Sequence, residues 1–263
     1  MKKVENMMKN FKPVTVGNVT FGQGRPKIIV PLVGKTAEEI LAGARQAKDL
    51  DCDLIEWRID FYENVTTPSE VASLSKEVSA VVEKPILVTF RTAKEGGELE
   101  ISDQLYFDIY TAVLNEGHAD LIDLELFMPD KEVQDTIALA HEKGTKIIMC
   151  NHDFDATPSQ DEIERRLRLM EEKNADICKI AVMPQSNTDV LTLLQATAAV
   201  YATSTRPLIT MSMGALGMVS RVSGEVFGSS ATFGAAAKAS APGQVPVTEL
   251  RNILSTLKLT NED

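Results

Sequence analysis

What constrains this chain most is an alternation. Apolar runs of strand length recur along it, and a helix signal follows nearly every one. The runs at 27–32, 53–58, 85–90, 121–126, 146–150, 177–183 and 207–211 are close to continuously apolar, as strands buried on both faces of a parallel sheet are. An eighth, at 231–234, is shorter and ends in glycine. Between them, Thr36 with Glu39 reads as a capping box, and Thr67-Pro68-Ser69-Glu70 adds a first-turn proline to the same signature. Further helices are expected from about Ser102, over 131–143 with Gly144 as the stop, from Thr157-Pro158-Ser159-Gln160, over 187–201 and over 247–257. Eight strands with their helices over about 230 residues predict an α/β chain folded as a (β/α)₈ TIM barrel. A doubly wound sheet would use fewer strands and place a phosphate-binding glycine turn after the first, and Val33-Gly34-Lys35 is not that turn. Ahead of the barrel, 12–22 reads as a β-hairpin turning at Gly17-Asn18. With no linker-like stretch, 1–263 is taken as one domain.

Composition narrows the function classes. A net charge of −11 argues against nucleic acid or an anionic membrane as partner, but not against a small anionic substrate that meets local arginines. Cys52, Cys150 and Cys178 are too scattered for a disulfide framework or a zinc motif; as small hydrophobes in strands they fit a reducing, cytoplasmic setting. The polar start of the chain leads into no apolar signal region, and no apolar stretch reaches membrane-spanning length.

Lys179 stands in the middle of the 177–183 run, and a lysine is almost never buried without a partner or a purpose. Burial disfavours the ammonium relative to the free amine, and a free amine attacks carbonyl carbon to give a Schiff base. The alternative is a lysine that snorkels from a strand end to water. Barrel active sites lie at the C-terminal strand ends. Other unusual polar residues collect there: Glu56 and Arg58 on one face of the second strand, Arg91 after the third, Glu95 in the loop beyond it, His152 after the fifth, and Arg221 before the eighth. Asp123 and Glu125 alternate inward on the fourth strand and need interior cations. His118 and His141 read as surface residues. No cluster has metal-ligand spacing. An amine, a titratable histidine and several arginines together suit iminium chemistry on a carboxylated or polyhydroxylated ketone.

The segments Glu56-Trp57-Arg58-Ile59-Asp60, Thr89-Phe90-Arg91-Thr92-Ala93-Lys94-Glu95-Gly96-Gly97, Cys150-Asn151-His152-Asp153-Phe154, Lys179-Ile180-Ala181-Val182-Met183-Pro184, Met211-Ser212-Met213, Ser220-Arg221, Gly224-Glu225-Val226-Phe227-Gly228 and Ala239-Ser240-Ala241-Pro242-Gly243-Gln244 occur in one family's order. In them the chain resembles the type I 3-dehydroquinate dehydratases of the shikimate pathway, and the match covers nearly its whole length. The resemblance implies a lyase acting on 3-dehydroquinate. Lys179 would form the Schiff base, His152 would move protons, and Glu95 would orient His152. Arg221 would bind the substrate carboxylate, with Ser240 and Gln244 from a closing loop. Glu56, Arg58 and Arg91 would hold ring hydroxyls, and Met211, Met213 and Phe233 would form an apolar wall. It further implies no cofactor or metal, a homodimer, and a hairpin that closes the barrel bottom. Pro31 departs from the pattern, standing where some members carry a serine. A different Schiff-base barrel such as an aldolase is the rival reading; it would carry a phosphate grip that the segment from Arg221 to Gln244 does not spell out.

Overall fold

The computed structural model describes residues 11–236 and 244–259. The chain first makes an antiparallel hairpin from β1 (Val14–Val16) and β2 (Val19–Phe21), with Gly17 at φ +56° where a two-residue hairpin turn demands left-handed backbone. The barrel strands follow: β3 (Lys27–Leu32), β4 (Leu54–Arg58), β5 (Ile86–Thr89), β6 (Leu121–Glu125), β7 (Lys146–Asp153), β8 (Ile177–Val182), β9 (Leu208–Ser212) and β10 (Ala231–Ala235). They pair in parallel in the order β10-β3-β4-β5-β6-β7-β8-β9. The ring closes where Leu208 bridges Ser229 and the Ser230 amide donates to the Leu208 carbonyl at 2.6 Å. This is the expected (β/α)₈ TIM barrel.

Helices α1 (Ala37–Lys48), α2 (Pro68–Val82), α3 (Asp103–Glu116), α4 (Asp130–Lys143), α5 (Gln160–Glu172) and α6 (Asn187–Tyr201) follow β3 to β8 in turn. After β9 come two short helices, α7 (Met218–Val222) and α8 (Gly224–Phe227); after β10 come β11 (Val245–Pro246), paired with it, and α9 (Val247–Thr256). The caps differ from the sequence reading in detail. Thr36 accepts from the Glu39 amide at 3.2 Å, but Glu39 reaches back to the Lys35 amide, one residue too far for a closed box. Thr67 begins α2 with no side-chain cap bond, and α5 is capped by Ser159 rather than Thr157, whose hydroxyl instead donates to the Met183 carbonyl at 3.0 Å.

Side-chain alternation divides the apolar residues into two cores. Outward-facing Trp57, Val88, Ile122 and Ile180 pack against the helices, whereas Ile29, Leu54, Leu87, Leu121, Ile148 and Ile177 turn into the barrel. These inner residues stand at the N-terminal strand ends, and Val14, Val16, Val19 and Phe21 of the hairpin pack onto them. The hairpin therefore forms an apolar floor, as expected.

Candidate active site

Further up β4, β6, β7 and β8 from the floor, the inner face changes chemistry. Leu54 gives way to Glu56 and Arg58, Leu121 to Asp123 and Glu125, Ile148 to Cys150 and His152, and Ile177 to Lys179. β7 runs to Asp153, past the end expected at 150, so His152 is fixed by strand pairing rather than carried on a loop. Above this layer opens a cavity of about 260 Å³, a size for one small molecule. Glu56, Arg58, Arg91, Glu95, His152, Lys179, Met211, Met213, Arg221, Phe233 and Gln244 all line it. Gly96, Phe154 and Ala181 line it too and were not foreseen. Ser240 lies outside the described residues.

Lys179 is 3 % exposed, so it does not snorkel. Its Nζ donates to Asp123 Oδ2 at 3.0 Å and sits 4.9 Å from the centre of the Phe233 ring. Asp123 is fully buried. Burial works against its charge, but Arg91 and Lys179 outweigh it and hold the carboxyl at about 2, a carboxylate at any working pH. Arg91 donates through Nη2 to Asp123 at 2.6 Å and through Nη1 to Glu125 at 2.9 Å. The Thr92 amide and hydroxyl also donate to Glu125, at 2.9 and 2.7 Å. The interior acids thus meet the interior cations that the sequence demanded.

His152 and Glu95 form a pair. Glu95 Oε2 lies 2.9 Å from both His152 Nδ1 and the His152 amide, while Oε1 accepts from Asn151 Nδ2 at 3.0 Å. Burial, reinforced by Arg91, Lys179 and Arg58, depresses His152 well below its ordinary value, so the imidazole is neutral. Burial lifts Glu95 to about 8 against the opposing pull of Arg91. The loop that delivers Glu95 needs its two glycines. Gly96 has φ +83°, and a Cβ there would lie 2.4 Å from the Phe154 ring; at Gly97 it would lie 1.9 Å from the Arg91 carbonyl oxygen.

Arg58 and Glu56 are not a simple pair. Arg58 makes a two-pronged bond to Asp60, 2.8 Å at each contact, and Glu56 accepts from the Thr89 hydroxyl at 3.0 Å. Arg221, on α7, is buried beside the cavity with Nη1 3.8 Å from Met211 Sδ; burial lowers its pKa to about 10, so it remains a cation at neutrality. His141 bonds Asp176 at 2.8 Å on the outer side, remote from this layer.

Cys150 departs from its expected part as a small hydrophobe. Its Sγ donates to Asp123 Oδ1 at 2.8 Å and accepts from Arg91 Nη1 at 3.1 Å. It also comes within 4.8 Å of ligand atoms of Glu95 and His152, a grouping invisible in the sequence spacing. These residues do not fit a metal ion. The Arg91 guanidinium already stands against the thiol and 3.6 Å from Glu95, and burial pushes the thiol well above its ordinary range, whereas a metal needs thiolate.

Fold and cavity together define a (β/α)₈-barrel enzyme whose polar groups converge on one small, polar ligand. Residues 28–261 match the family model described as type I 3-dehydroquinase. The chain is 54% identical over 250 residues to the 3-dehydroquinate dehydratase of Enterococcus faecalis, covering 94% of this chain and 99% of the relative. To that of Listeria welshimeri it is 52% identical over 245 residues, 93% of this chain and 97% of the relative. The type I 3-dehydroquinate dehydratase structure from Clostridium difficile superposes with a TM-score of 0.91 at 46% identity, covering 94% of this chain and 98% of that one. The chain belongs to the type I 3-dehydroquinase family.

Proposed function

We propose that this chain dehydrates 3-dehydroquinate to 3-dehydroshikimate through a Schiff base on Lys179. The observation that carries the reading is a buried lysine amine held at the cavity wall between a permanent carboxylate and an aromatic face, with a neutral histidine lining the same cavity. The Lys179 nitrogen adds to the C3 carbon of the ketone, and two of the three ammonium protons end on the ketone oxygen, which leaves as water from a cationic iminium. Asp123 is too weak a base to take a proton, so it serves as counter-ion, balancing first the ammonium and then the iminium that replaces it. The iminium acidifies C2. Neutral His152 takes a C2 proton, and the electron pair moves toward the iminium nitrogen as an enamine. The same proton, returned by His152 to the C1 hydroxyl, lets that oxygen leave as water. Hydrolysis then frees the ketone product and Lys179.

Glu95 orients His152 through Nδ1. Arg221 holds the substrate carboxylate, joined by Gln244 and Ser240, while Met211, Met213 and Phe233 keep water out. Arg91 donates to Asp123 and Glu125, so in this reading it sets the charge of the site while it holds the ring hydroxyls with Glu56 and Arg58. The Clostridium difficile relative carries covalently modified comenic acid, which supports covalent chemistry in this family. The reading needs no cofactor and no metal, treats 1–263 as one barrel domain, and takes the resemblance as far as a cytoplasmic homodimer. Among the described residues no helix is long and apolar enough to cross a membrane.

His152→Ala tests the division of labour. Mixed with 3-dehydroquinate, the variant should accumulate a borohydride-reducible adduct on Lys179 while turnover falls about 10²–10⁴-fold. An adduct with normal turnover would remove His152 from proton transfer.

A further inference from the structure

A chain of hydrogen bonds runs from α5 to the Glu95–His152 pair from behind. Asn151 alternates with His152 on β7, so it faces the helix layer; it is 4 % exposed and does not line the cavity. Its amide has one workable orientation. Nδ2 donates to Glu95 Oε1 at 3.0 Å, and Oδ1 accepts from Arg166 Nη1 at 2.7 Å; flipped, it would set donor against donor and oxygen against carboxylate. Arg166 is itself fixed. Its Nε donates to Glu162 Oε1 at 2.7 Å, one turn back on α5, and its guanidinium lies 5.6 Å over the Phe127 ring.

We propose that Asn151, oriented by Arg166, is a positioning residue that pins Glu95 so that Oε2 serves His152. The proposal rests on His152 being the proton carrier. Other groups also face the pair: Arg91 after β5 at 3.6 Å from Glu95, Asp123 and Glu125 from β6, Cys150 from β7, and, toward His152, Lys179 from β8 and Arg58 from β4. None of these bonds Glu95 Oε1, so a change at Asn151 leaves them in place.

The sign follows from the two groups. Glu95 is raised and His152 lowered, so near neutrality the pair holds one proton between them, and His152 is free to accept another only when that proton leaves. kcat/KM therefore rises with pH. The Asn151 bond stabilises the carboxylate and lowers the Glu95 pKa, so losing it moves the rise to higher pH. The test is the pH profile of kcat/KM for the parent, Asn151→Leu, Glu95→Gln and the double variant. Asn151→Leu should shift the rising limb up by about one pH unit, with roughly tenfold less activity on the acid side. Glu95→Gln should shift it down, because His152 alone is depressed, and adding Asn151→Leu to that variant should change nothing further. Arg166→Met gives a second reading without altering the buried amide, with a smaller shift in the same direction. If Asn151→Leu and Arg166→Met keep the parent's limb while Glu95→Gln moves it, the inference falls and the role of the pair stands. If Glu95→Gln leaves the limb in place, the role of the pair falls as well.

Discussion

At the floor of the barrel, Phe21 and the three hairpin valines press on Leu54, Leu121, Ile148 and Ile177 in a wholly apolar cluster. Two to four residues further along the same strands or just past their ends, Lys179, Asp123, Arg91 and Glu125 form a buried network in which each charge has a named partner. Apolar contacts are non-directional, and a core tolerates exchange of side chains when volume is kept. A buried charge network does not, because removing one member strands its partner at about 3–5 kcal/mol. One set of strands thus carries a part that can vary and a part that cannot. The floor supplies stability and the mouth supplies chemistry.

Substitution at the two levels should separate those contributions. Lys179→Arg keeps a charge for Asp123 but removes the amine that lines the cavity among the described residues, since a guanidinium stays protonated and cannot add to a carbonyl. It should abolish turnover, the largest effect expected, while thermal melting shows a folded protein; appreciable turnover would make Lys179 a mere charge. Phe21→Ala on the floor should cost about 3–5 kcal/mol of stability by denaturant unfolding, with kcat/KM per folded molecule unchanged. A selective loss of kcat/KM would mean that floor and mouth are coupled. Arg221→Lys, at the mouth again, keeps the charge and loses the two-pronged grip, and kcat/KM should fall by about 1–3 kcal/mol with stability almost unmoved. Kinetics equal to the parent would remove Arg221 from the site.

The sequence carried the barrel because alternation and helix signals are local, and the ring follows from counting them. It carried most of the cavity for a related reason: a polar residue inside an apolar strand run, such as Lys179 or Asp123, declares itself. Partners were harder to see. Asp60 binds Arg58 across two residues where Glu56 was the obvious neighbour, and Cys150 joins Arg91 and Asp123 across three strands. Those contacts depend on barrel curvature and side-chain reach, which no spacing in one chain encodes. Thr157 had the residue type of a cap, but the Met183 carbonyl competed for its hydroxyl and Ser159 took the cap. Asn151 stood out in the sequence as a polar residue at a strand end beside His152, but nothing there pointed to its bond with Glu95.

The most direct test of the central claim is a covalent label. The parent protein, incubated with 3-dehydroquinate and reduced with borohydride, should gain the mass of the reduced adduct, with peptide mapping placing it on Lys179 alone. An unlabelled protein that turns substrate over, or a label on any other residue, would contradict Lys179 as the nucleophile.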